Sequence, residues 1–309
     1  MKAIAQTEFG DAEVLVVREL PDPPIALDQV LVEVRAAGVN PVDRLVRMGY
    51  VASTTPCHFP LVPGWDVAGV VRAVGPAVDG FAVGDEVFGY QRKDHVQNGA
   101  YAELIAATER GLAHKPASLS FVEAGGLALT GLTALQSLRK VGVSSGDTVL
   151  VHAAAGGVGH LAVQVARILG ASRVIGTASP RNHEFLRSLG AEPVSYGDAL
   201  VDNVAELLGG DGLVDVVFDC VGGAALNDSP ALVRDPARIV SIVDTNVLEL
   251  GGRYSYAKPV REDLDWLAGQ AGSGALKVEV QQTFPLAQAA DAHRLLEGKH
   301  VRGKVVLTV

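Results

Sequence analysis

The spacing of hydrophobic and polar positions changes once along the chain, near Ser120. Upstream, short aliphatic runs are broken by turn residues, and 2–6, 15–19, 29–37, 67–74, 86–90 and 100–106 read as strands. Pro21-Asp22-Pro23-Pro24, Pro63-Gly64, Gly75-Pro76, Asp79-Gly80 and Gly84-Asp85 punctuate them, so the pattern predicts a β-barrel-like lobe. One short helix is expected at 41–48, with Pro41 in its first turn. Downstream, 121–140 places Leu127, Leu132, Leu135 and Leu138 at helical spacing, interrupted by Gly131. Strands at 148–152, 173–177, 193–195, 214–219, 238–242 and 253–256 then alternate with helices at 158–169, 180–189, 202–208, 224–232 and 262–271. Such alternation predicts a doubly wound parallel sheet and an α/β fold class. A strand, a helix and a strand at 277–282, 286–297 and 304–309 could complete the first lobe.

The stretch 147–159 organises the second half. An aliphatic run ending at His152 leads into Ala153-Ala154-Ala155-Gly156-Gly157-Val158-Gly159, and Leu161, Val165, Ile168 and Leu169 then share one helical face. Ala154, Gly156 and Gly159 occupy the three positions of G-x-G-x-x-G, with alanine for the first glycine. That turn must be tight, must let the backbone approach a pyrophosphate and must pack helix against strand, while free N–H groups at the helix start attract negative charge. Its place inside strand–helix–strand points to a dinucleotide cofactor rather than to a tight turn alone.

Proteins that prefer NAD usually carry an acid after the second strand. Here Ile175 is followed by Gly176-Thr177-Ala178-Ser179-Pro180-Arg181-Asn182, with no carboxylate. Ser179 can donate a hydrogen bond to a 2′-phosphate and Arg181 a charge-assisted one, which favours NADPH. Ser179 can equally cap the helix that Pro180 begins.

Composition narrows the partners. A chain of 309 residues has room for two lobes, and a formal charge of -9 with no basic stripe argues against nucleic acid or an anionic membrane. The start turns polar by Gln6-Thr7 and no run of about 18 apolar residues occurs, so a cytoplasmic location is expected. Cys57 and Cys220 are expected as free, buried thiols. The histidines show no metal-ligand spacing, and His58, His95 and His114 fall in loop-like surroundings.

Several stretches together resemble the medium-chain dehydrogenase/reductase superfamily, within it the zinc-independent quinone oxidoreductase (zeta-crystallin-like) branch. They are Ala37-Gly38-Val39-Asn40-Pro41-Val42-Asp43, Pro63-Gly64-Trp65-Asp66-Val67-Ala68-Gly69, Val83-Gly84-Asp85-Glu86-Val87-Phe88-Gly89, Gly99-Ala100-Tyr101-Ala102-Glu103, Leu129-Thr130-Gly131-Leu132-Thr133-Ala134, the glycine turn, and Gly303-Lys304-Val305-Val306-Leu307. Their order and spacing run nearly the whole length. The resemblance implies a GroES-like β-barrel catalytic domain at 1–122, completed by 273–309, and a Rossmann domain binding NADP(H) at 123–272. It also implies an active site in the cleft where the lobes meet. In zinc-using relatives the position of Asn40 is a cysteine and Trp65-Asp66 is His-Glu. The third ligand position, near Thr130, holds no cysteine either, and 91–98 lacks their structural cysteine quartet. Three missing ligands leave no catalytic zinc expected.

The activity so implied is hydride transfer from NADPH to a quinone or an α,β-unsaturated carbonyl compound. Such chemistry asks the protein for little beyond orientation and a hydrogen-bond donor on the acceptor oxygen. Asn40 is a candidate through the Gly-Val-Asn match, although an Asn–Pro pair also starts helices. Tyr50 falls where related enzymes place a cleft tyrosine; a packed loop aromatic is the competing explanation. The resemblance places Thr130 and Thr133 near the nicotinamide, Ala155, Gly156, Gly157, Val158 and Gly159 on the pyrophosphate, and Tyr196 near the adenosine phosphate. Val221 and Val243 follow the fourth and fifth strands at the cofactor edge. An NADPH-binding protein with little turnover and an enoyl reductase are the alternative functions. The resemblance implies a homodimer paired through an edge strand, which here would be 253–256, and Tyr254-Ser255-Tyr256 suits a strand that is covered.

Overall fold

The computed structural model describes residues 1–298 and 301–309. Two compact units divide the chain: Met1–Leu129 with Lys258–Gly274 and Val278–Val309, and Thr130–Ala257 with Ala275–Lys277. Among the described residues no helix is long and apolar enough to cross a membrane.

The first unit opens with β1 (Lys2–Ala5), β2 (Val16–Glu19), β3 (Gln29–Val39), α1 (Pro41–Arg47), β4 (Cys57–Val62) and β5 (Asp66–Val74). It continues with β6 (Glu86–Tyr90), β7 (Val96–Asn98), β8 (Leu104–Thr108) and β9 (Leu112–His114). The helix α2 (Phe121–Lys140) leads into β10 (Thr148–Val151), α3 (Gly159–Ile168), β11 (Arg173–Thr177), α4 (His183–Ser188), β12 (Glu192–Val194) and α5 (Leu200–Leu208). Then come β13 (Val216–Asp219), α6 (Gly223–Asp228), β14 (Ile239–Ser241) and β15 (Arg253–Tyr254). The chain returns to the first unit with α7 (Arg261–Gly272), β16 (Val280–Pro285), α8 (Ala289–Glu297) and β17 (Lys304–Thr308).

A seven-stranded sheet in the first unit has the order β16-β17-β3-β5-β6-β9, with β8 also paired to β3. Val30, Val32 and Val34 alternate inward along β3 and pack with Val67, Val71, Val87, Ile105 and Leu112. Val305 of β17 lies opposite Val39 and Leu307 opposite Ala37, so the last strand joins the third across nearly the whole chain.

The second unit is built on a parallel sheet of order β12-β11-β10-β13-β14-β15. Counting strands within that unit, the order is the doubly wound one, and the chain changes direction beside β10. Leu150, Ile175, Val217 and Ile239 are fully buried in its core, which is why these strands read as continuous apolar runs.

The structure corrects several expectations. Strands β7 and β9 went unread because each is three residues long and held by a partner distant in sequence, and β4 because it carries Pro60, lacks an alternating pattern and pairs with β7 at only two positions. The strand expected at 100–106 is shifted to Leu104–Thr108, since the Ala100 and Tyr101 N–H groups donate to Gly64 and Pro63 carbonyls instead of to a ladder. The tail strand likewise moves from 277–282 to Val280–Pro285, in parallel register with β17. The helices expected at 180–189, 224–232 and 286–297 each contain a separate 3-10 turn, at Pro180–Asn182, Ser229–Ala231 and Leu286–Gln288. Helix α7 belongs to the first unit, where Arg261 donates to Glu109 at 3.0 Å and lies 4.6 Å over the Phe81 ring. Both cysteines are free, but half-buried rather than buried.

Candidate functional site

The end of β10 is strapped to β11 before the glycine turn begins. Ala153 adopts φ 51°, an unusual left-handed conformation for a residue with a Cβ. Its N–H donates to Thr177 Oγ1 at 3.0 Å, and that of Ala154 to the Thr177 carbonyl at 3.0 Å. The Gly156 N–H closes the turn on the Ala153 carbonyl at 2.9 Å. A Cβ at Gly159 would lie 2.3 Å from that same carbonyl oxygen, so only glycine lets α3 start so close to the strand. No side chain caps α3, and apart from the His160 N–H, which donates to the Gly156 carbonyl at 3.1 Å, its first-turn N–H groups are left for a bound anion.

Five other cofactor candidates of this unit each follow a parallel strand and therefore share its carboxyl edge. Ser179 and Arg181 follow β11, Tyr196 follows β12, Val221 follows β13 and Val243 follows β14. Arg181 is exposed and carries no ion pair among the described residues, while the Ser179 side chain makes no cap and its hydroxyl accepts a long bond from Asn182 Nδ2, at 3.4 Å. Tyr196, Val221 and Val243 are 63%, 54% and 51% exposed, an uncommon amount of apolar surface on one edge. Thr130 and Thr133 lie on α2 and are buried, presenting little surface.

The polar chemistry of the first unit gathers at the start of α1. Asn40 is buried, and its backbone N–H donates to Asp43 Oδ2 at 2.8 Å. Its amide is committed on both ends: Nδ2 donates to Asp66 Oδ2 at 2.9 Å, and Oδ1 accepts from Lys304 Nζ at 2.5 Å. Lys304 Nζ also donates to the Val39 carbonyl and lies 3.7 Å from Asp66 Oδ2, while Asp66 Oδ1 accepts the Leu129 N–H. Burial pushes the Asp66 carboxyl up and the Lys304 ammonium down, and their mutual attraction opposes both. Tyr50, by contrast, is 61% exposed in the turn after α1, and no hydrogen bond joins it to Asn40 among the described residues.

A second chain of hydrogen bonds converges on Asp43. Arg47 reaches His293 Nδ1 at 3.2 Å and Glu297 at 2.8 Å. A guanidinium only donates, so Nδ1 accepts and Nε2 carries the imidazole proton toward Tyr101 Oη, 3.3 Å away. Tyr101 in turn donates to Asp43 Oδ2 at 3.0 Å, leaving the buried Oδ1 without a partner. Burial is the main cause that raises Asp43 to about 7 and lowers His293 to about 3.

These residues do not fit a catalytic zinc. At the positions of the missing ligands an amide and a carboxylate are already engaged by the Lys304 ammonium, which repels a metal cation. Among the described residues no three His, Cys, Asp or Glu side chains gather as a metal requires. Reading of the sequence missed Asp66 and Lys304 as a pair; both lay in stretches noted for other reasons, and nothing local joined them.

A unit with a doubly wound parallel sheet and an uncapped glycine turn, in one chain with a unit built on a mostly antiparallel β-sheet, defines the class as a dinucleotide-dependent oxidoreductase fold. Residues 26–117 match the alcohol dehydrogenase GroES-like domain, and 189–307 match the zinc-binding dehydrogenase family. The chain is 36% identical to the NADPH-dependent alkenal/one oxidoreductase, chloroplastic, of Arabidopsis thaliana, over 99% of this chain and 79% of that protein. A 2-methylene-furan-3-one reductase of Solanum lycopersicum is 44% identical over 62% of this chain; the match spans 51% of that relative's length. The crystal structure of Escherichia coli quinone oxidoreductase complexed with NADPH superposes with a TM-score of 0.87 at 30% identity, covering 100% of both chains. The chain belongs to the medium-chain dehydrogenase/reductase superfamily, in its zinc-independent quinone oxidoreductase branch.

Proposed function

We propose that the protein is an NADPH-dependent reductase that delivers hydride to a quinone or to the β-carbon of an α,β-unsaturated carbonyl compound, without a metal. The observation that carries this is the single edge shared by the uncapped glycine turn, Ser179 and Arg181, Tyr196, Val221 and Val243, with no acid after β11 to repel a 2′-phosphate. Relatives named for NADPH, for alkenal/one reduction and for quinone reduction support the acceptor class.

The residues fit the cofactor. The N–H groups of Ala155, Gly157, Val158 and Gly159 hold the pyrophosphate while that of Gly156 closes the turn, Ser179 and Arg181 hold the 2′-phosphate, and Tyr196 lies toward the adenosine end. Val221 and Val243 offer apolar surface to the nicotinamide, bordered by Thr130 and Thr133. Bound NADPH supplies the hydride. Tyr50, free to reach solvent, donates a hydrogen bond to the acceptor oxygen as negative charge develops there. Asn40 is held in one orientation by Lys304 and Asp66, and we assign it as the polar group of the first unit that serves the reaction. Strand β15 is the outermost of its sheet, and with Leu248 59% and Tyr256 49% exposed near it, it supports pairing with a second copy.

The test is NADPH consumption by chelator-treated protein with 1,4-benzoquinone and, separately, with a small enone, each repeated with NADH. NADPH-linked turnover is expected. Binding of NADPH with no turnover of either acceptor would favour a binding protein, and loss of activity on chelation would overturn the metal-free assignment.

A further inference from the structure

We propose that Asp219 and Ser241 are a buried positioning pair that holds the nicotinamide half of the cofactor site and leaves the adenosine half untouched; this rests on the NADPH assignment above. The two residues are register partners at the carboxyl ends of β13 and β14, and both are fully buried. Ser241 Oγ donates to Asp219 Oδ2 at 2.7 Å. Asp219 Oδ1 accepts the N–H groups of Val221 and Gly222, each at 2.9 Å. Ser241 Oγ accepts those of Val243 at 3.3 Å and Asp244 at 3.0 Å. Asp244 Oδ2 then accepts the Gly223 N–H at 3.1 Å, which closes a ring of hydrogen bonds across the two turns.

The ring fixes the backbone of the two residues whose side chains project from this edge. Val221 and Val243 each lie two positions beyond the paired residues, so both leave the sheet at the same level with about half their surface exposed. Gly222 has φ 74°, and a Cβ there would come 3.0 Å from that of Asp244; the turn is tight enough that its path depends on the ties.

Sheet order decides which half of a dinucleotide this affects. The glycine turn follows β10, with β11 and β12 on one side and β13 and β14 on the other. A pyrophosphate on that turn, with its 2′-phosphate at Ser179 and Arg181 after β11, sends the nicotinamide the opposite way, over the turns after β13 and β14. No atom of the Asp219–Ser241 ring lies on the adenosine side.

The experiment is calorimetric titration of wild type, Ser241→Ala, Ser241→Thr and Asp219→Asn with NADPH and with adenosine 2′,5′-bisphosphate, which carries only the adenosine half. Ser241→Ala is expected to weaken NADPH about tenfold, the size of one charge-assisted hydrogen bond, and to leave the bisphosphate within about twofold. Ser241→Thr keeps the hydroxyl and is expected to restore NADPH affinity. Amide exchange in Ser241→Ala should quicken at Val221, Gly222, Val243 and Asp244 and not at Gly156 to Gly159. Equal weakening of both probes, or an unchanged NADPH affinity, would overturn the proposal. A wild-type protein that binds neither probe overturns the NADPH assignment itself, and the proposal with it.

Discussion

Asparagine at position 43 is expected to stabilise the first unit above neutral pH and to do nothing for it in acid. Asp43 is fully buried, and burial raises its carboxyl from 3.8 to about 7; Asp66 adds to the rise, while the Asn40 N–H, Tyr101 and Lys304 oppose it. A raised carboxyl means that the folded chain holds a proton the unfolded chain has lost. Its stabilisation is therefore full below pH 3.8 and disappears as the pH climbs through about 7. A rise of about three pKa units at 1.36 kcal/mol each sets a ceiling of about 4 kcal/mol. His293, lowered from 6.5 to about 3 by burial and by Arg47, works the other way: its contribution is present above 6.5 and lost as the pH falls. Across about pH 4 to 6.5 the two slopes oppose each other, so the pair leaves wild type nearly flat there. Asp43→Asn resembles the protonated acid, keeps an oxygen for the Asn40 N–H and Tyr101 Oη, and removes one slope. The variant should match wild type near pH 3, exceed it by about 1 kcal/mol at pH 4.5 and by as much as about 4 kcal/mol at pH 8, and gain stability with pH in between. Both tryptophans, Trp65 and Trp266, belong to the first unit, so urea unfolding followed by tryptophan fluorescence reads this unit. A difference between variant and wild type that does not change with pH would refute the reasoning.

Lys304→Met leaves the buried Asp66 carboxylate without its ammonium and should cost about 3–5 kcal/mol by the same fluorescence assay, with Asp66→Asn in the same chain recovering most of it. Gly159→Ala drives a Cβ to 2.3 Å from the Ala153 carbonyl oxygen; the turn must shift, and NADPH affinity by nucleotide fluorescence should fall at least about tenfold. Arg181→Glu removes a donor and sets a carboxylate where the 2′-phosphate would sit, so the NADPH/NADH ratio of kcat/KM should drop about a hundredfold, and an unchanged ratio would place the phosphate elsewhere.

How much of the site was legible depended on whether its cause was local. The glycine turn at 153–159 could be read because tight turns and close backbone approach restrict residue type within a few positions. Ser179, Arg181, Val221 and Val243 came with it, because once the strands are parallel whatever follows each strand lies at one edge, whereas Tyr196 came from the family resemblance. The burial of Thr130 and Thr133, and the commitment of the Asn40 amide to internal partners, had no local sign. Strands of three residues such as β7 and β9 were equally silent, because a ladder that short takes its stability from the strand it meets.

Taken alone, the sequence determined the alternation of strand and helix, the dinucleotide turn and the absence of an acid after β11, all consequences of periodicity and backbone sterics over short spans. Only the tertiary structure decided that Lys304 would meet Asn40 across 264 positions, that Arg47, His293 and Tyr101 would form a chain of hydrogen bonds ending on Asp43, and that Asp219 would be tied to Ser241. Buried charge and buried hydrogen-bonding groups must be compensated by whatever the fold brings within about 3 Å, and that partner is fixed by packing rather than by distance along the chain.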